Sequence, residues 1–283
     1  MVTAASDELR RQLAPTGVLR AGVNLANFLL VTGHSACGAP EGISPDLAAE
    51  IARRLGTGLR LVPFPNPKDL GDAVDEGSWD IALIGAEPQR EEKIAFSKPY
   101  VEIPATYLVP GGSQLQGIDE VDFPAVRIAC VGGSAFGLWL DKNIKRASVI
   151  KADSMDGALK LLLDGQADVL ASLRQRLLSD ILEVPGGRIL EGHFMTVKQA
   201  VGASRSRGAR VAEFLTETVE ELKASGFVGS LIEKHGVVGK LVVPIEGPAT
   251  KRQRTNAAEG VQTDSMAGAR PVLNGESLDV SPC

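Results

Sequence analysis

The sequence has few aromatic residues, no excess of positive charge and no long apolar run. Aromatic residues make up 4% of the 283-residue chain, and the formal net charge is −5. Nucleic-acid binding draws on basic side chains that neutralise phosphates and on aromatic rings that stack on bases. A membrane-spanning helix needs roughly 20 consecutive apolar residues. We therefore expect neither a nucleic-acid partner nor a membrane span.

Histidine and cysteine are scarce as well, with three of each. His34 and Cys37 have the spacing of two metal ligands, but the sequence offers no second pair, so we expect no metal site. No serine lies at a recognisable spacing from a histidine, which leaves no candidate catalytic nucleophile. Residues 132–137 are glycine-rich but depart from the Gly-x-Gly-x-x-Gly order, so neither a dinucleotide nor another cofactor is expected.

The first residues do not have the pattern of an export signal. Residues 1–11 lack a basic segment followed by an apolar one, which a secretory signal requires. Two localisations stay open: a cytoplasmic protein if Met1 is the true start, or an exported one if the printed start omits an export segment.

Short apolar runs typical of β-strands alternate with helical patterns along most of the chain, which predicts an α/β architecture with largely parallel strands. The clearest helix is predicted to begin at Ser44 as N-cap, with Pro45 at its first position, and to end at Gly56. Strands are predicted over 19–23, 59–62, 80–84, 127–131, 148–151 and 168–171, with extended runs over 105–110 and 196–203. Further helices are predicted over 68–76, 136–144, 156–163, 173–182, 211–222 and 226–235.

One pattern occurs twice. Residues 157–168 repeat residues 70–80 as a helix, a glycine turn and a strand that opens with aspartate, Asp80 or Asp168. The repeat predicts two related α/β lobes, the first made of residues 10–104 and 201–246 and the second of residues 105–200. A chain that crosses to the second lobe and returns would leave a cleft with a two-strand hinge, and such clefts favour small ligands.

The end of the chain differs from the rest. Residues 247–283 contain few aliphatic side chains and many Gly, Pro, Ser, Thr and Asn residues. Such a composition buries too little apolar surface to offset the entropy of ordering, so residues 247–283 are predicted to be a disordered tail.

Several short motifs together resemble one known family. They are GSWD at 77–80, PQR at 88–90, FSKPY at 96–100, GISPDL at 42–47 and RAGV at 20–23. The pattern resembles the bacterial solute-binding proteins of family 3, the polar-amino-acid receptors of ABC transporters, over about residues 13–243. The resemblance implies a two-lobed, periplasmic-binding-protein-like (type II) α/β fold with two crossing hinge strands. It also implies a periplasmic receptor that closes on an amino acid or small carboxylate, with an ABC permease as a further partner.

The resemblance also implies where the ligand binds. Arg90 keeps the spacing of the family's arginine, and a guanidinium fork is suited to a carboxylate. Ser134 and Ala135 lie where a helix start would offer free N–H groups to an anion. The segment of Gly85, Ala86 and Glu87 replaces a longer stretch that in the family is rich in hydroxyl groups.

Other expected contacts depart from the family. Asn24 occupies the position of an acid that holds the ligand's α-ammonium group, and Leu173 that of a second such acid. Asn27 occupies the position of an aromatic platform, with Phe28 adjacent. A buried ammonium without partners is costly unless Glu87 supplies the charge, so a carboxylate without an α-amino group is as compatible with the sequence as an amino acid.

Two alternatives to a transport receptor stay open. Some proteins of this fold are cyclohexadienyl dehydratases, which need a general acid in the cleft, and Glu87 is the one acid that the sequence places there. The other alternative is a soluble sensor or an orphan binding protein that works without a permease. We expect ligand binding rather than catalysis.

Overall fold

The computed structural model describes residues 7–244, in which strands and helices alternate along the chain. The strands are β1 Val18–Asn24, β2 Gly33–His34, β3 Pro40–Glu41, β4 Gly58–Phe64, β5 Ile81–Gly85, β6 Ile94–Phe96, β7 Val101–Val109, β8 Arg127–Val131, β9 Ser148–Ala152, β10 Val169–Leu173, β11 Arg188–Ile189 and β12 Met195–Ser204. The α-helices are α1 Asp7–Leu13, α2 Ile43–Leu55, α3 Pro67–Asp72, α4 Pro88–Glu91, α5 Ala135–Asn143, α6 Met155–Leu163, α7 Arg174–Asp180, α8 Ala209–Ala224 and α9 Phe227–Lys234.

The main sheet joins two groups of parallel strands. Its order is β4-β1-β5-β12-β7-β10-β8-β9, with β6 paired to β12 and β11 paired to β7. Strand β1 runs parallel to β4 and β5, and β8 runs parallel to β9 and β10. The long strands β7 and β12 are antiparallel to each other and connect the two groups. We call β4-β1-β5 the first half of the sheet and β10-β8-β9 the second half.

The interior of strand β5 explains why its sequence is a continuous apolar run. All of its residues are buried, because both faces of the strand are covered. Ile81 and Leu83 belong to the main hydrophobic core, whereas Ala82 and Ile84 belong to a smaller core around Trp79 and helix α3. Successive side chains of a strand point to opposite faces, so a strand covered on both sides needs apolar residues at every position.

The repeated sequence pattern has a structural counterpart. In the first half, the side chain of Arg20 on β1 donates from Nε and Nη2 to Asp80, just before β5. In the second half, the side chain of Arg127 on β8 donates from the same atoms to Asp168, just before β10. Each arginine also donates to the glycine turn, at Gly77 O or Gly165 O. In both units, therefore, an arginine guanidinium donates two hydrogen bonds to the aspartate just before the second strand.

The start of α2 and the end of α3 differ from the sequence predictions. Helix α2 begins after Gly42 rather than at Ser44, because the Ser44 hydroxyl is paired with the buried Tyr100 hydroxyl at 3.0 Å. Its predicted end is confirmed, since Gly56 has the left-handed conformation, φ 72°, in which glycine is favoured. Helix α3 ends at Asp72 rather than at residue 76, and a turn connects it to Gly77.

The predicted hinge runs belong to β7 and β12, which are longer than the sequence patterns indicated. The expected lobe boundaries, 104/105 and 200/201, fall within these two strands, and the division into lobes stays a prediction. The predicted tail, residues 247–283, lies outside the described residues. No helix within residues 7–244 combines the length and the apolar character that a bilayer crossing requires.

Candidate functional site

A cavity of about 570 Å³ lies at the carboxyl ends of parallel strands in both halves of the sheet. Asn24, Gly85, Val131 and Leu173 are the last residues of β1, β5, β8 and β10, and all four line it. Side chains from β12 complete its floor. The loops at the carboxyl ends of parallel strands are where open α/β sheets bind ligands, so the topology alone makes this cavity the candidate site.

The loop after β1 presents an aromatic ring to the cavity. Asn24 Oδ1 accepts a hydrogen bond from Ala26 N at 3.1 Å, and Asn27 Oδ1 accepts one from Leu29 N at 3.2 Å. These bonds use the side-chain oxygens to shape the loop. Asn27 and Phe28 both line the cavity. Asn27 is buried, whereas Phe28 is 39% exposed, so this loop offers the Phe28 ring to a ligand.

Arg90 is held at the cavity by the backbone of both halves. Its Nη1 donates to Gly85 O at 2.9 Å, and its Nη2 donates to Gly133 O at 2.8 Å. Burial lowers the pKa of Arg90 to about 10, while the charges of Glu87 and Asp72 oppose that change. The side chain therefore stays cationic at neutral pH, and a guanidinium with five N–H donors keeps further groups for a carboxylate.

Of the three consecutive residues Gly85, Ala86 and Glu87, only Gly85 lines the cavity. A Cβ at Gly85 would lie 3.2 Å from Ala135 Cβ and 3.4 Å from Arg90 Nη1. Ala86 and Glu87 are not among the residues that line the cavity. Ala86 N donates to Lys198 O at 2.8 Å, and Glu87 is buried at the start of α4. The carboxyl group expected in the cleft is thus buried outside the cavity lining.

Helix α5 begins at the cavity wall. The Ser134 hydroxyl caps it, because Oγ accepts from Gly137 N at 3.0 Å and donates to Val131 O at 2.7 Å. The hydroxyl is therefore occupied within the chain. Ser134, Ala135 and Phe136 all line the cavity, and the first N–H groups of a helix have no acceptor within it. Those N–H groups are suited to an anion.

A group of acids that the sequence analysis missed also lines the cavity. We call Asp153, Asp156, Asp180 and Glu183 the acidic wall. Arg176 lies among them, with Nε 2.6 Å from Asp180 Oδ1 and Nη2 2.6 Å from Asp156 Oδ1. The i,i+4 spacing on α7 indicates the first pair, but nothing local joins α7 to residues 153–156.

Asp180 differs from the other members of the acidic wall in its burial. Its side chain is 3% exposed, and Oδ2 has no hydrogen-bond partner among residues 7–244. Burial raises the pKa of Asp180, although the nearby Arg176 acts in the opposite direction. A buried acceptor without a partner is costly, and Asp180 lines the cavity, so a donor that reached this oxygen from the cavity would remove that cost.

The comparison with family models matches the bacterial extracellular solute-binding proteins, family 3, over residues 27–238. A comparison with curated protein sequences found no significant match.

Solved structures with the same fold cover most of the chain. Holo ArgBP from T. maritima has a TM-score of 0.61 at 23% identity and covers 81% of this chain and 99% of its own. The ancestral amino acid-binding protein AncCDT-1, a precursor of cyclohexadienyl dehydratase, has a TM-score of 0.64 at 20% identity, covering 80% and 98%. AbpA from Streptococcus pneumoniae, bound to L-arginine, has a TM-score of 0.64 at 20% identity, covering 79% and 96%. The mixed α/β fold is that of the type II periplasmic binding proteins.

Proposed function

Since this chain belongs to the bacterial extracellular solute-binding proteins, family 3, we propose that it binds a small solute with a carboxylate group in the cavity at the strand ends. The solute is an amino acid or another small organic acid. The observation that carries the proposal is that the Arg90 guanidinium and the start of α5 meet at one cavity. A planar cationic fork and free helix N–H groups are complementary to a carboxylate.

The same contacts support a closing motion. Arg90 donates to Gly85 O in the first half and to Gly133 O in the second. Opening the cleft would break the second bond, and β7 and β12 are the strands through which the halves would rotate. A solute that binds the closed form better shifts the population toward it. Delivery of the solute to an ABC permease belongs to the same proposal, which is supported by a similar structure, the substrate binding protein of an amino acid ABC transporter.

The test is a thermal-shift screen of amino acids, keto acids, dicarboxylates and aromatic acids, followed by calorimetry on Arg90 variants. A ligand at about a hundred times its Kd adds roughly 2.7 kcal/mol of stability. Arg90→Ala should weaken binding by about 2 kcal/mol, about 30-fold in Kd, because a charged hydrogen-bonded partner is lost. Arg90→Lys should recover only part of the loss, since an ammonium cannot form the planar fork.

Arg53→Ala is the matched control, because Arg53 is an exposed arginine paired with Glu50 on α2. It should leave the affinity unchanged, and circular dichroism should show each variant folded. Equal Kd values for the wild type and a folded Arg90→Ala variant would contradict the proposal.

A dehydratase is the second candidate function. AncCDT-1 is described as a precursor of cyclohexadienyl dehydratase, and such a reaction needs a general acid in the cleft. Asp180, whose pKa is raised by burial, lines the cavity, whereas Glu87 does not. Turnover of prephenate or arogenate by the purified protein, absent in Asp180→Asn, would favour this candidate over binding alone.

A further inference from the structure

The charges of the cavity are unevenly distributed. Gly85 and Ala135, which lie beside Arg90, are uncharged, and so are the lining residues Asn24 and Leu173 at the ends of β1 and β10. The carboxylates that line the cavity all belong to the acidic wall. An α-ammonium group placed among these uncharged residues would be buried without a partner.

The acidic wall lies farther along α7. Asp180 follows Leu173 by seven residues, which is about 10 Å along a helix. Glu183 lies beyond Asp180, and Asp156 approaches from the start of α6 through its bond to Arg176. A cationic group of the solute that binds at this wall would thus be several bonds away from the solute's carboxylate.

Arg176 shows that the wall accepts a cation. Its guanidinium is only 22% exposed and is shared between Asp156 and Asp180. One cation facing four carboxylates leaves the wall acidic, and Asp180 Oδ2 keeps an unused acceptor. A second donor from the solute would fill that site.

We propose that the acidic wall is a subsite for a cationic group at the far end of the solute, so that the preferred ligands are ω-amino or ω-guanidino carboxylic acids rather than α-amino acids. This inference rests on the proposed function, because it takes the carboxylate at Arg90 as the other end. It assigns Asp180 Oδ2 and Glu183 as the acceptors of the solute's N–H groups, with Arg176 as the neighbouring fixed cation.

The test compares matched probes by calorimetry on the full chain. The probes are 4-aminobutanoate, 5-aminopentanoate and 6-aminohexanoate, their unsubstituted acids of equal length, and L-lysine. The best ω-amino acid should bind at least tenfold tighter than its unsubstituted acid, as expected for a charged hydrogen bond. It should also bind tighter than L-lysine, whose α-ammonium would lie among the uncharged residues near Arg90.

Variants of the wall should change this ratio of affinities in opposite directions. Asp180→Asn and Glu183→Gln should lower it, and Arg176→Gln should raise it, because the competing cation is removed. Glu183 is exposed, so its variant remains informative if Asp180→Asn does not fold. Asp75→Asn, which removes the same charge from an exposed pair with Lys93 outside the cavity lining, should leave the ratio unchanged.

The outcomes separate the two proposals. Equal affinities for an ω-amino acid and its unsubstituted acid, both abolished by Arg90→Ala, would overturn the cation subsite and leave the proposed function intact. Tighter binding of L-lysine than of every ω-amino acid would also overturn it. Failure of every carboxylate, charged or not, to bind would contradict the proposed function itself.

Discussion

Two buried carboxyl groups flank strand β5 and have opposite surroundings. Asp80, which is fully buried, accepts hydrogen bonds from the side chains of Arg20 and Arg207. Glu87 is 5% exposed and makes no side-chain bond to the start of helix α4. Burial raises the pKa of Glu87 to about 7, an effect that the charges of Arg90 and Lys198 only partly offset. Two arginines balance the charge of Asp80, whereas the pKa of Glu87 lies near neutral pH.

The raised pKa of Glu87 predicts a pH-dependent stability. The folded protein binds the proton more tightly than the unfolded chain, whose carboxyl has the ordinary pKa of 4.5. Stability should therefore fall as the pH rises from about 4.5 through about 7, by up to about 3 kcal/mol. Glu87→Gln removes this dependence, so its Tm relative to the wild type should increase between about pH 5 and about pH 8. A Tm difference that is the same at both pH values would contradict this account.

At the scale of elements, one helix–turn–strand unit is used twice with different burial. Its arginine fork is the same in both halves, with Nη2 to Oδ1 distances of 2.8 Å for Arg20–Asp80 and for Arg127–Asp168. Asp80 is fully buried, whereas the side chain of Asp168 is 40% exposed. The segment before α8 covers Asp80 in the first unit, since Arg207 also donates to it. In the second unit, the Arg127–Asp168 pair is partly exposed to solvent.

This difference predicts unequal costs for one substitution. Asp80→Asn should lower the free energy of unfolding by about 3 kcal/mol, because it leaves two arginines without their buried partner. Asp168→Asn should lower it by less than about 1 kcal/mol, because water replaces an exposed ion pair. Denaturant unfolding of both variants measures the difference. Similar costs at the two sites would show that burial of the aspartate is not what distinguishes them.

At the scale of the whole molecule, the cavity depends on a close approach of the two halves. Gly133, after β8, has φ +67°, and a Cβ there would lie 2.7 Å from the Cβ of Lys68 on α3. That contact joins the second half to the first, beside the Arg90–Gly133 hydrogen bond. A side chain at this position would keep the halves apart.

Gly133→Ala should therefore favour an open form. Its solute affinity should fall by about tenfold, the equivalent of about 1.4 kcal/mol against closure. Gly165→Ala is the matched control, because Gly165 has φ +68° but nothing within 4 Å of the added Cβ. Both variants should lose about 1 kcal/mol of stability from the left-handed conformation, but only Gly133→Ala should lose affinity. Small-angle scattering should show solute-induced compaction in the control and less of it in Gly133→Ala.

Local patterns predicted the elements better than they predicted the site. Gly56 ends α2 as expected, because a left-handed residue after a helix is a local requirement that glycine meets. Ser44 does not cap α2, since a tertiary bond to Tyr100 takes its hydroxyl. Arg90, Ser134 and Phe28 line one cavity, and their role as ligand contacts stays a prediction. Glu87 does not line it, because the residue is buried at the start of α4.

The sequence by itself determined the alternation of strands and helices, the repeated unit and the arginine on α4, the helix after β5. These follow from periodicity and turn chemistry, which act between residues close along the chain. Only the tertiary structure decided that the acidic wall and Arg176 line the same cavity as Arg90. Helices α6 and α7 both pack against β10, and Arg176 joins them through its bond to Asp156; no local pattern encodes that meeting. The physical reason is that charge complementarity with a solute depends on distance in space, whereas sequence patterns report distance along the chain.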